Sequence, residues 1–244
     1  CLAFAMQLAQ KKANLSDCPD VSEEAKKVLG AASAPPIKLV TVGTGAKKVA
    51  VGEENVLFRH EEKFYHPAGV AVTISDDLSD TAFNDRLKKI NSLKISRVGT
   101  EIEIDLVAII NKSNDANKFA EAAKKVSSGS HLSIILSSTS LENMKAALAT
   151  CAEKRPLVHG ANSQNCEAMA ALAKEKNCPM TVTAPTLEEL ADLAECAKKA
   201  GVEEIMLDVS GNNPKEVLQK LTKIRRAALK KNFRTLGFPM ITFV

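Results

Sequence analysis

The chain has 244 residues, 45% of them hydrophobic and 25% charged, with 33 Lys and Arg against 29 Asp and Glu for a formal charge of +4. This is the composition of a globular protein and excludes a disordered one; the basic residues alternate with acidic ones, so no nucleic-acid surface is implied, and no apolar run approaches the roughly 20 residues of a membrane span. Six cysteines without a short secreted disulfide pattern fit a reducing compartment, so a cytoplasmic location is expected.

The chain opens on Cys1, and Cys18 follows after LAFAMQLAQKKANLSD, with Pro19 behind it. Leu2, Phe4, Ala5, Leu8 and Ala9 recur at roughly helical spacing, which puts Cys1 at a helix start and Cys18 in the loop beyond it. That spacing could bring two thiolates to one metal centre, and Pro after a ligand Cys is common in iron-sulfur motifs. The alternative is two unrelated cysteines, one buried on the helix and one in a loop. Asp20, Ser22, Glu23 and Glu24 start a short helix ending near Gly30, and AASAPP (31–36) reads as a linker. A boundary is therefore expected there, dividing residues 1–36 from 37–244.

IKLVTV, KKVAV and NVLFR then read as three hairpin strands. The intervening GTGAKK lacks the Gly-x4-Gly-Lys-Ser/Thr spacing and joins two strands, so it is no phosphate loop. From Gly69 onward apolar, β-branched runs recur near residues 70, 104, 131, 156, 180, 204 and 238 as VAVTIS, IDLVAII, LSIILSS, PLVHG, MTVTA, EIMLDVS and FPMITFV. Helical patterns lie between them. Ser140 or Thr139 starts LENMKAALATCAEK, Thr186 with Glu189 forms a capping box, and Asn213 precedes Pro214 and Glu216. Parallel strands covered on both faces by helices follow, and seven such units predict a (β/α)8 TIM barrel whose eighth unit would lie past Val244.

In such a barrel chemistry sits where strands end. The polar residues offered there are Ser75, Asp76, Asn111, Ser137 to Thr139, His159, Asn162, Asp208, Ser210, Asn212 and Asn213. Asp76 or Asp208 could serve as a base, and Asn111, Asn162 and Asn212 could grip a heterocycle such as a pterin. The same residue types are also what helix N-caps require, and His159 reads equally as a core or rim histidine. Cys151, Cys166, Cys178 and Cys196 lack the close pairing of a metal clamp and read as buried small hydrophobes, with AMAALA (168–173) as a packing face.

The stretch CLAFAMQLAQKKANLSDCP resembles the second half of the cluster motif of the corrinoid iron-sulfur protein large (gamma) subunit of the acetyl-CoA decarbonylase/synthase system, a pattern of Cys-x2-Cys-x4-Cys-x16-Cys. VLFRHEEKFYHP (56–67) and the later strand phrases are similar to that subunit too. The resemblance implies a [4Fe-4S] cluster with Cys1 and Cys18 as its third and fourth ligands, the first two lying upstream. It implies no catalytic residue and no cobalamin contact within this chain, the corrinoid being held mainly by a C-terminal domain beyond Val244. It further implies a methyltransferase component acting mainly as carrier, which takes a methyl group from a methyltetrahydropterin on corrinoid cobalt and passes it to acetyl-CoA synthase, the cluster returning Co(II) to Co(I). The partners implied are the small (delta) barrel subunit, in a heterodimer, together with the methyltransferase and acetyl-CoA synthase. The alternative is a free-standing pterin-dependent barrel methyltransferase using Asp76, Asn111, Asn162 and Asp208.

Overall fold

Valines at alternate positions and a Gly-rich turn make the first element a hairpin: β1 (Val40–Val42) pairs antiparallel with β2 (Val49–Val51), Val40 opposite Val51. GTGAKK is its connection, as expected, with a single short 3-10 turn over Gly45–Lys47. The structure is a computed structural model that describes Phe4, Met6, Gln7 and Ser22, and then residues 35–243 except Arg59, residues 62–64, Ser210 and Asn212. Two compact units divide the chain, Cys1–Pro35 and Pro36–Val244. Cys1 and Cys18 lie outside the described residues.

The second unit continues with β3 (Ala71–Ser75), α1 (Asp80–Asn91), β4 (Lys94–Arg97), β5 (Thr100–Glu103), β6 (Leu106–Ile110), α2 (Ala116–Gly129), β7 (Ser133–Ser137), α3 (Leu141–Cys151), β8 (Leu157–Ala161), α4 (Cys166–Glu175), β9 (Met180–Ala184), α5 (Leu187–Lys199), β10 (Ile205–Val209), α6 (Pro214–Lys230) and β11 (Met240–Ile241). Seven strands form one parallel sheet in the order β11-β10-β9-β8-β7-β6-β3. Each strand lies beside the next one contributed by the βα repeat, which is the winding of a TIM barrel and not of a doubly wound sheet, where the order reverses about a switch point. The seven runs expected from the sequence supply these seven strands.

Alternation along the strands separates two cores. Outward residues such as Val107, Ile109, Ile134, Leu136, Val158, Val182 and Leu207 are buried under the helices. Inward residues Leu106, Ala108, Ile135, Leu157 and Met206 pack on Val40 and Val42 of the hairpin, which plugs the N-terminal end of the barrel. Burying a side chain of this size contributes about 1.5–3 kcal/mol. Arg155 fastens the plug: it donates from Nη1 to the Thr41 carbonyl at 2.9 Å and from Nε to the Asn177 carbonyl at 2.9 Å, and it pairs with Glu204, whose Oε1 accepts from the Thr41 N–H at 2.9 Å.

Side chains of Ser79, Asp115, Ser140, Thr186 and Asn213 accept N–H groups at the starts of α1, α2, α3, α5 and α6, each satisfying a donor the helix leaves open. The cap of α3 is Ser140 and not Thr139.

One expectation fails locally. Residues 55–58 of NVLFR form no strand: the N–H groups of Leu57 and Phe58 go to the Glu61 carboxylate, and the carbonyls of Val56 and Leu57 accept from Arg225, so these groups are not left for a ladder. KISRVGTEIE, for which no strand was expected, is the β4–β5 hairpin, with Ile95 opposite Ile102 and a Val98-Gly99 tip at φ 52° and 74°. Positive φ at both tip residues is what a two-residue hairpin turn demands.

One glycine carries a bulge beside the site. The β8–β9 register shifts between His159 and Ala161, and Gly160 takes up the extra residue at φ 117°. An added Cβ there would lie 2.3 Å from the Ser138 carbonyl oxygen. The bulge turns Ala161 into the outer core, where regular alternation from Leu157 and His159 would have turned it inward. Gly160→Ala is expected to cost at least about 1–3 kcal/mol from backbone strain alone, read as a lowered melting temperature.

Candidate functional site

The C-terminal ends of β3, β6, β7, β8 and β10 gather most of the polar residues singled out from the sequence, in two hydrogen-bonded groups. The first centres on Asp76, 6% exposed. Its Oδ1 accepts the backbone N–H groups of Lys112 and Ser113 at 2.8 and 2.9 Å. Its Oδ2 accepts from Asn111 Nδ2 at 2.6 Å and Ser113 Oγ at 2.7 Å. Asn111 Oδ1 in turn accepts from Ser138 Oγ at 2.9 Å and Asn143 Nδ2 at 2.7 Å. The bracket stitches the loops after β3, β6 and β7 together and uses both oxygens of the carboxylate internally.

The second group lies inside the barrel. His159, 7% exposed, has Nδ1 3.0 Å from Ser137 Oγ and Nε2 3.0 Å from Asp208 Oδ2, and Asp208 is 8% exposed. The Phe243 ring meets the imidazole edge-on, centroids 5.1 Å apart. Thr181 and Thr183 occupy the intervening strand β9, each with a buried hydroxyl that has no hydrogen-bond partner among the described residues. The reading of His159 as a core histidine holds, with two polar neighbours that fix its ring.

The cap reading is right for some of these residues and wrong for others. Asn213 caps α6. Asn162 accepts the Gln164 N–H in the turn that leads into α4. Asp76, Asn111, Ser137 and Asp208 cap nothing. Ser137 and Asp208 are inward strand positions and bond across the barrel interior, while Asp76 and Asn111, just after β3 and β6, bond across to neighbouring loops. Ser75 donates to Asp77, and Ser210 and Asn212 lie outside the described residues. Asn162 bonds within its own turn, so Asp76, Asn111, Asn162 and Asp208 do not converge as one pterin clamp. Sequence reasoning missed Ser113, Asn143, Thr181, Thr183 and Phe243. Only MTVTA carried a signal, since strict alternation puts its two threonines on one face.

The described cysteines do not fit an iron-sulfur cluster. Cys151, Cys166 and Cys178 are buried, and burial pushes their thiols up to about 12, 12 and 11, far from the thiolate that iron requires. Among the described residues no three His, Cys, Asp or Glu side chains group to hold a metal. No helix among them is long and apolar enough to cross a membrane. Met169, Ala170 and Ala173 of AMAALA are fully buried in the outer core, as a packing face should be.

Residues 39–244 match the family model described as CO dehydrogenase/acetyl-CoA synthase delta subunit. The chain is 41% identical over 241 residues to the corrinoid/iron-sulfur protein large subunit of Moorella thermoacetica, covering 99% of this chain and 54% of that protein. It is 33% identical over 245 residues to the acetyl-CoA decarbonylase/synthase complex subunit gamma of Methanothermobacter thermautotrophicus, covering 99% and 53%. The chain thus spans about half the length of the curated relatives it matches. Among solved structures, the 7,8-dihydropteroate synthase of Vibrio fischeri aligns with a TM-score of 0.47 at 12% identity, over 72% of each chain.

Proposed function

The chain belongs to the CO dehydrogenase/acetyl-CoA synthase delta subunit family, and from that premise we propose that it is part of a corrinoid/iron-sulfur large subunit in which the barrel is scaffold and docking surface, not a methyltransferase active site. The family match covers the barrel, whereas the similarity to large and gamma subunits runs over 99% of the chain. That extension into the cysteine segment supports the large-subunit reading over a bare delta-type barrel.

The observation that carries the scaffold role is the saturation of Asp76. A general base needs a free lone pair within about 2.6–3.2 Å of the proton it takes, and both oxygens of this carboxylate already accept two donors each. Asp208 Oδ2 is engaged by His159 Nε2 at 3.0 Å. Cys1 and Cys18 would hold one side of a [4Fe-4S] cluster, whose chemistry is low-potential electron supply to a corrinoid held by other parts of the protein. A small barrel subunit, a methyltransferase and acetyl-CoA synthase are the partners, in the cytoplasm.

Purification of the full-length protein with its co-expressed partner subunit tests this. Stoichiometric cobalt and about four irons per large subunit, with methyl transfer to the reduced corrinoid unaffected by Asp76→Asn in the fraction that remains folded, is the expected result. A cobalt-free complex, or a 10²–10⁴-fold rate loss in folded Asp76→Asn of the size typical for a lost general base, would establish the barrel enzyme instead.

A further inference from the structure

Two deficits meet inside the barrel. The Oγ1 atoms of Thr181 and Thr183 are buried without a partner among the described residues, and Thr181 is 0% exposed. Native structures partner nearly all buried hydroxyls, with protein, water or ligand. Both threonines face inward, because Met180, Val182 and Ala184 on the alternate positions of β9 belong to the outer core. The second deficit is Asp208, a buried carboxylate whose hydrogen-bond partner among the described residues is one imidazole nitrogen. A buried carboxylate held by one hydrogen bond is costly unless a counter-charge completes it, from the His159 it pairs with or from a bound cation.

The register brings the two together. Thr181 lies beside His159 on β8, and Thr183 lies beside Asp208 on β10. The His159–Asp208 bond therefore crosses β9 where the two hydroxyls stand. Successive inward side chains of one strand are about 7 Å apart, a separation that one atom-sized guest can bridge. Every atom left open is an oxygen, and no inward position of β6 to β10 is Lys or Arg. Oxygen ligands with one carboxylate select a hard cation, and Asp208 opposes an anion.

We infer that Asp208 and the Thr181 and Thr183 hydroxyls bind a small monovalent cation, an alkali-metal ion or ammonium, with His159 orienting the carboxylate through Nε2 and Ser137 fixing the imidazole through Nδ1. The site shares no residue with the Asp76 bracket.

Thermal unfolding of the full-length protein in sodium, potassium, ammonium or tetramethylammonium chloride at equal ionic strength tests it, since screening is then constant. At least one small cation should raise the melting temperature over tetramethylammonium, saturably, by about 3–6 °C for each tenfold excess over its Kd. A response to sodium or potassium identifies a metal-ion site, and a response to ammonium alone identifies an N–H donor site. Thr181→Val, which keeps the shape and removes the hydroxyl, should abolish the difference, as should Asp208→Asn. If Thr181→Val does not fold, the less buried Thr183→Val carries the same comparison. Equal melting in all four salts would overturn the proposal, leaving water as the partner of the hydroxyls. A cation effect that persists unchanged in the variants would overturn it too, by placing the ion elsewhere.

Discussion

Asp76→Asn is expected to destabilise the barrel by about 1.5–3 kcal/mol, and Asp76→Ala by about 3–5 kcal/mol, in thermal or urea unfolding. The asparagine figure runs against the cap reading, under which Asn would serve about as well as Asp. Four donors converge on this carboxylate: two backbone N–H groups on Oδ1, and Asn111 Nδ2 with Ser113 Oγ on Oδ2. An amide has only one accepting end. Placing its oxygen toward Lys112 and Ser113 sets its NH2 against Asn111 Nδ2, 2.6 Å away in the native structure. Turning Asn111 over moves the conflict to Asn143 Nδ2. Ala leaves all four donors without their acceptor, hence the larger loss. A variant as stable as the parent would mean that Asp76 acts as a simple cap and the bracket is not cooperative.

Cys18→Ala in the full-length protein is expected to remove the broad visible absorbance of a [4Fe-4S] centre and to stop reductive activation of the corrinoid, while methyl transfer to chemically reduced corrinoid continues. Cys178→Ala is the matched control. Its thiol is buried at the turn before β9 and pushed up to about 11 by desolvation, so it is expected to lower stability modestly and to leave iron content unchanged. Retention of about four irons after Cys18→Ala, or loss of iron after Cys178→Ala, would remove the cluster assignment from the N-terminal segment.

The strand count, strand positions and parallel winding were legible in the sequence because a strand covered on both faces must be apolar nearly throughout, and helix caps punctuate the gaps. Thr186 with Glu189 and Asn213 before Pro214 marked their helix starts correctly, since capping is a contact between residues two or three apart. NVLFR misled for the opposite reason. Its backbone partners are Glu61, four residues from Leu57, and Arg225, 168 residues away, and the second of these leaves no local trace. KISRVGTEIE was silent because a hairpin exposed on both faces needs no apolar face to announce it.

The sequence by itself determined the repeating βα architecture, the exclusion of the GTGAKK loop from phosphate binding and the burial of Cys151, Cys166 and Cys178, though Cys196, read the same way, is only half-buried. Only the tertiary structure decided what the polar strand ends do. Whether Asp76 is a cap, a base or a bracket depends on Asn111, Ser113 and, through Asn111, Asn143, residues 35 to 67 positions away. Whether His159 meets Asp208 depends on the registers that set β8 and β10 on either side of β9. Hydrogen bonds are directional over about 3 Å, whereas hydrophobic burial is non-directional, so the sequence pattern carries the second and not the first.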